Sequence, residues 1–275
     1  MSAPPPIPAI GLVVCDLAGT TVDYGSRAPA AAFVELFSRR GVRVSETEAR
    51  GPMGKHKRDH IADLLALLGV ASQWREKFGQ VPSESDCNEL FEEFLPLQTS
   101  VLDAHGDVIP GAAEVVANWR ARGIKVAATT GYNRPMTDKV LAMAASAGLT
   151  FDYSICAAEV PAGRPAPWMI FRCMEATGIF PSSRVVKIGD TVVDTEEGVN
   201  AGVWTVSVSR SGNMLGLSRA EDEALDPTDR AARLDTARRE LTTAGAHRVV
   251  DSIASASVFL DEFNDLLAIG RGPGT

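Results

Sequence analysis

The 275-residue chain contains no run of the roughly 18 uncharged apolar residues that a membrane helix requires. It lacks a basic excess as well: the formal net charge is -8. That excludes non-specific binding to nucleic acid or to an anionic membrane surface, which needs a basic face. Any anionic substrate must therefore be held by a local cationic site. Cysteine and histidine are scarce, with four of each. Cys15, Cys87, Cys156 and Cys173 form no C-x-x-C pair, which argues against a zinc site or a disulfide framework and for a reducing, cytoplasmic setting. Residues 1–8 have neither the basic nor the apolar region of a signal peptide. No internal repeat or long low-complexity tract is present. A hydrophobic content of 45% with 23% charged residues is that of a soluble globular protein.

Short apolar runs recur along the chain. Residues 11–15 end at Asp16, 124–128 end at Thr129-Thr130-Gly131, 153–157 form a third run, 185–188 end at Gly189-Asp190, and 203–208 form a fifth. Continuous rather than alternating hydrophobicity predicts strands buried on both faces, as in a parallel sheet. Between the later runs lie helical patterns over 112–122, 135–147, 167–177 and 195–201, each followed by a glycine suited to a helix stop. Strand-helix alternation of this kind predicts an α/β fold with a Rossmann-like parallel sheet. Residues 25–105 break the rhythm. They look helical throughout, with a capping-box pattern at Ser45 and Glu48 and a helix start at Ser83, and are too long for a crossover. The prediction is a helical domain at 25–105, hinged near Gly25 and Gly106, inserted into a core domain formed by 1–24 and 106–275. The charged segment 211–244 is also expected to be helical.

In open α/β sheets ligands bind beyond the carboxyl ends of the strands. Asp16 and Asp190 stand there, and Asp194 follows Asp190 at i+4. Carboxylate oxygens without His or Cys suit Mg²⁺. Thr130 offers a hydroxyl and nearby backbone N–H groups to an anion, and Arg164 a cation just before a helix. A lone aspartate after a strand is ordinarily a turn former or an N-cap. Four such groups at four strand ends point instead to phosphoryl transfer.

Asp16-Leu17-Ala18-Gly19-Thr20-Thr21-Val22-Asp23, Thr130, Arg164 and Gly189-Asp190-Thr191-Val192-Val193-Asp194 resemble, in order, the four motifs of the haloacid dehalogenase superfamily. The resemblance implies a helical cap in the insert and an aspartyl-phosphate on Asp16. It also implies Mg²⁺ held by Asp16, the Ala18 carbonyl and Asp190, with Asp194 in support. Phosphatases of the superfamily place a second aspartate, a general acid, where this chain has Ala18.

The insert offers an explanation. A helix is predicted from about Pro52. On it Met53, Lys57, His60, Ile61 and Leu64 share one face, while Lys55 points away. A lysine held among apolar side chains loses solvation, and its free amine is what Schiff-base chemistry needs. From helix geometry alone, Lys57 better fits a side chain that buries its stem and wets its head. The absence of an acid at Ala18 favours the amine, because a P–C bond expels a carbanion that needs an electron sink. Pro52-Met53-Gly54 with Lys57 and His60, Thr130-Gly131-Tyr132 and Gly163-Arg164-Pro165 are similar to the phosphonatase branch of the superfamily, from Leu12 to His247. That resemblance implies hydrolysis of the P–C bond of phosphonoacetaldehyde, with His60 as proton shuttle, Met53 shaping the lysine pocket and a homodimer formed through the caps. The alternatives are a general phosphomonoesterase of the superfamily and a non-catalytic, phosphoryl-responsive binding module.

Overall fold

The computed structural model describes residues 9–274; the Pro-rich leader at 1–8 lies outside them. Six parallel strands form one sheet in the order β3-β2-β1-β4-β5-β6. They are β1 Leu12–Asp16, β2 Lys125–Thr130, β3 Tyr153–Cys156, β4 Val185–Gly189, β5 Trp204–Val208 and β6 Arg248–Val250. Five of the six coincide with the apolar runs. The expected fold class is the observed one: a parallel sheet with helices on both faces.

One face carries Val13, Cys15, Val126, Ile188 and Val206, packed with Trp119, Met136 and Phe263 from α6 (Ala112–Ala121), α7 (Arg134–Ser146) and α12 (Ser257–Ala268). The other carries Leu12, Val14, Ala127 and Val185, packed with Met169, Ile170 and Cys173 of α8 (Trp168–Thr177). Alternation along each strand supplies both faces, which is why no strand reads as amphipathic. Register places Asp16 of β1 beside Thr129 of β2, with Cys15 opposite Ile188 of β4. The strand order reverses between β1 and β4, so the crevice at their carboxyl ends is the ligand position expected of this topology.

Residues 27–101 carry five helices: α1 (Arg27–Arg39), α2 (Glu46–Arg50), α3 (Lys57–Ala66), α4 (Leu68–Phe78) and α5 (Glu84–Val101). They enclose a separate apolar core containing Phe33, Phe37, Ile61, Leu64, Trp74, Leu90 and Phe94. Burying each side chain of this size contributes about 1.5–3 kcal/mol, so these helices have their own source of stability. Ser45 and Glu48 form a reciprocal cap on α2, and Ser83 and Asp86 form one on α5.

Three expectations need correction. The helix expected from Pro52 begins at Lys57. Gly54 has φ 91°, a left-handed conformation that interrupts any helix through 52–56. The segment 211–244 is helical only in α10 (Arg219–Ala224) and α11 (Pro227–Thr243). Before them the chain runs as a loop, pressed so close to the sheet that a Cβ on Gly212 would lie 2.2 Å from the Asp190 Cβ. Finally, β6 went unforeseen. It is a three-residue edge strand in which only Val250 is buried, too short to leave a hydrophobic pattern. No helix among the described residues is long and apolar enough to cross a membrane.

Candidate active site

Asp16 ends β1 and is buried. Its Oδ1 lies 2.7 Å from Arg164 Nη2. Asp190 follows β4, its Oδ1 accepting from Thr20 Oγ1 at 3.0 Å and its Oδ2 from the Asn213 backbone N–H at 2.7 Å. Asp194 sits in the first turn of α9 (Val192–Ala201), capped by Thr191. Asp190 itself is not helical. The N-terminal turn of α9, rather than a shared helix face, brings Asp194 back toward it. Carboxylate oxygens of Asp16, Asp190 and Asp194 all lie within 4.8 Å of one another.

The electrostatics show strain between these groups. Burial, opposed by Arg164, raises Asp16 to about 6. Burial together with Asp16 and Asp194 pushes Asp190 well above the ordinary carboxylate range. Asp194 goes down despite burial, because Arg164 and Lys187 face it. Three crowded carboxylates with no His or Cys among them match the donor set of a hard divalent cation. Gly19, at φ 86°, lets the loop after β1 close on the cluster: a Cβ there would lie 2.1 Å from Asp190 Oδ2. The residues therefore fit a divalent metal ion.

Arg164 is buried and held on every side. Besides Asp16 it contacts Asp194 Oδ1 at 3.1 Å and Glu197 Oε2 at 3.0 Å, and donates to Thr129 Oγ1 at 2.8 Å. It also donates to the Gly54 carbonyl of the helical insert at 3.4 Å. The insert and the sheet meet closely here, since a Cβ on Gly131 would lie 2.5 Å from the Lys55 carbonyl oxygen.

Lys57, the first residue of α3, is 4% exposed. Its Nζ lies 5.6 Å from the Phe33 ring centroid and 5.4 Å from that of Tyr132. Burial lowers its pKa to about 8, against the opposing pull of Asp16. Two ring faces stabilise the cation less than water does, so the proton is easily lost. Lys55 points elsewhere and pairs with Asp63 at 2.6 Å.

Asp16, Ala18, Met53, Lys57, Thr130 and Arg164, with Tyr132 and Thr191, line one cavity of about 20 Å³. That is room for about one water molecule, so the two lobes are closed on each other. A wider cleft of about 540 Å³ shares Met53 and Thr191 with it. Met53 reaches the cavity from the turn before α3, not from the helix face expected of it. His60 is not brought there. Its ring stacks on Phe33 at 3.8 Å inside the insert, and its Nε2 bonds the Ala49 carbonyl at 2.9 Å. Burial, with Lys57 adding to it, drives its pKa well down, so the ring is neutral. Lys187, Glu197 and Asn213 all touch the site and escaped the sequence reading. A lysine breaking the apolar run Val185-Val186-Lys187-Ile188 was the available signal.

Residues 10–202 match the haloacid dehalogenase-like hydrolase family. The chain is 43% identical over 261 residues to a phosphonoacetaldehyde hydrolase of Syntrophobacter fumaroxidans, covering 95% of this chain and 94% of that protein. It is 41% identical to one of Paraburkholderia xenovorans, covering 95% and 98%. A crystal structure of a phosphonoacetaldehyde hydrolase-like protein from Oleispira antarctica superposes with a TM-score of 0.95 at 36% identity, covering 99% of both chains.

Proposed function

The chain belongs to the haloacid dehalogenase-like hydrolases and, within them, to the phosphonoacetaldehyde hydrolase family; on that footing we propose that it cleaves phosphonoacetaldehyde to acetaldehyde and phosphate through a Schiff base on Lys57 and an aspartyl-phosphate on Asp16. It is a hydrolase acting on a carbon–phosphorus bond, which sets aside the non-catalytic alternative. The observation that carries the mechanism is the pairing, in one closed cavity, of Ala18, which has no proton to give, with the buried amine of Lys57.

Lys57 Nζ adds to the aldehyde carbon and water leaves, giving a protonated imine. An Asp16 carboxylate oxygen then attacks phosphorus. The P–C bond breaks and its electron pair moves into the iminium, forming a neutral enamine. Protonation at carbon regenerates an imine, which water hydrolyses to acetaldehyde and free Lys57. A second water cleaves the aspartyl-phosphate, releasing phosphate and restoring Asp16. The bond broken is not one a general acid at position 18 would help, because the leaving atom is a carbon with an electron sink attached.

Mg²⁺, held by Asp16, the Ala18 carbonyl, Asp190 and, behind them, Asp194, would supply positive charge against the phosphonate oxygens. Arg164 adds a guanidinium charge from this chain's own side chains, and Thr130 a hydroxyl that can donate to a phosphonate oxygen. Met53, buried and lining the same cavity, would shape the lysine's apolar setting, and the Tyr132 ring lies 5.4 Å from its amine. His60 lies a layer behind Phe33, and its stacking supports a positioning role for that ring rather than direct proton transfer. Residues 25–105 act in this scheme as a cap over the core at 1–24 and 106–275. The four buried free cysteines support a cytoplasmic setting, and exposed Leu68, Phe78 and Val81 support a homodimer through the caps. Degradation of 2-aminoethylphosphonate is the process this reaction would serve.

Steady-state assays over a pH series test the assignment. kcat/KM for phosphonoacetaldehyde is expected to exceed that for p-nitrophenyl phosphate by orders of magnitude. It should rise with pH through a limb centred no higher than about 8, because the amine reacts only when unprotonated. Comparable rates on both substrates would favour the general phosphomonoesterase instead.

A further inference from the structure

We propose that Lys187 and Glu197 form a buried positioning pair that keeps Arg164 available to the substrate anion and sets the excess negative charge offered to the metal. The inference rests on the roles given above to Arg164 and the aspartates.

Lys187 stands in the middle of β4 and is fully buried, on the sheet face that packs against α8 and α9. An unpaired charge there would be strongly destabilising. The fold makes room for it: a Cβ on Gly198 would lie 3.1 Å from the Lys187 Cβ and 2.2 Å from Thr205 Cγ2, so glycine lets α9 close over the lysine stem. Its Nζ reaches Asp194 Oδ1 at 2.9 Å, Glu197 Oε2 at 3.0 Å and Thr129 Oγ1 at 2.8 Å. Arg164 contacts the same three oxygen atoms. Two cations thus share three acceptors, and only Arg164 also reaches Asp16.

The sharing has a consequence for binding. Glu197 holds the Nε edge of Arg164, while Nη2 is shared between Asp16 and Thr129 and Nη1 between Asp194 and the Gly54 carbonyl, so an incoming anion competes with Asp16 and Asp194 for the guanidinium. Without Lys187 the guanidinium would be, among the described residues, the only cation in ion-pair contact with Asp16, Asp194 and Glu197, and they would hold it away from an incoming anion. With Lys187 present, two cations face those three carboxylates, and Asp190 adds to the negative charge left for a divalent cation. Neither Lys187 nor Glu197 lines the cavity, so both act through Arg164 and Asp194.

The two charges should therefore shift cation and anion binding in opposite directions. Isothermal titration of the full chain with Mg²⁺ alone, and with inorganic phosphate at saturating Mg²⁺, reads both. Lys187→Met is expected to weaken phosphate binding by about tenfold or more while leaving Mg²⁺ affinity equal or tighter. Glu197→Gln keeps an acceptor for Arg164 but removes a charge. It should weaken Mg²⁺ binding about threefold or more and leave phosphate equal or tighter. The double variant should return both affinities toward wild type. Should Lys187→Met fail to fold, Glu197→Gln still carries the test. A parallel loss of both ligands in either single variant, or a double variant no better than Lys187→Met, overturns the pairing. Failure of the wild-type chain to bind either ligand would instead overturn the roles given to Arg164 and the aspartates.

Discussion

Replacing Lys57 by arginine is expected to lower kcat/KM for phosphonoacetaldehyde by at least about a thousandfold, a loss of ~4 kcal/mol of transition-state stabilisation. Arginine keeps the positive charge and can still lie over the Phe33 and Tyr132 rings, so the closed structure should survive. It cannot form an imine. The electron pair of the broken P–C bond then has no iminium to enter, and the carbanion must leave unassisted. Steady-state kinetics together with a thermal melt separate this loss from unfolding. Near-native turnover by a folded Lys57→Arg chain would mean that the amine takes no covalent part.

Asp16→Asn is expected to reduce turnover by a factor on the order of 10⁵, the scale seen when a covalent nucleophile is removed. The amide is close in size to the carboxylate, so the cavity should keep its shape. Asparagine cannot form the aspartyl-phosphate, and it offers Arg164 a neutral partner where a 2.7 Å ion pair stood. Phosphonoacetaldehyde should still condense with Lys57 in this variant, because the imine forms before phosphorus is attacked. Retained imine formation with abolished phosphate release would place Asp16 after Lys57 in the sequence of steps. Retained phosphate release would remove Asp16 as nucleophile.

Much of the architecture was legible because buried parallel strands are encoded by local composition. Val13-Val14-Cys15 and Val185-Val186 needed no knowledge of distant residues to be read as strands. Asp16, Asp190 and Arg164 were legible as site candidates because topology alone brings strand ends together. What escaped depended on tertiary contact. The start of α3 follows Gly54, whose left-handed backbone sits where a Cβ would lie 2.6 Å from Thr191 Oγ1 and Val193 Cγ2, neighbours that local sequence does not reveal. His60 lies on the same face of α3 as Lys57, as periodicity requires, yet one turn of helix is enough to carry it behind Phe33 and out of the cavity. Lys187 was hidden by its surroundings, since a charge inside an apolar run contradicts the strand pattern unless its partners are known. Those partners, Glu197 on α9 and Asp194 at its first turn, are supplied only by the folded sheet.

Borohydride reduction in the presence of phosphonoacetaldehyde, followed by peptide mass mapping, tests the central claim most directly. The buried amine of Lys57, poised at about 8, should carry a reduced two-carbon adduct, with inactivation proportional to its yield. An adduct on Lys55, whose ammonium is tied to Asp63, or no adduct on an enzyme that still turns over, would contradict it.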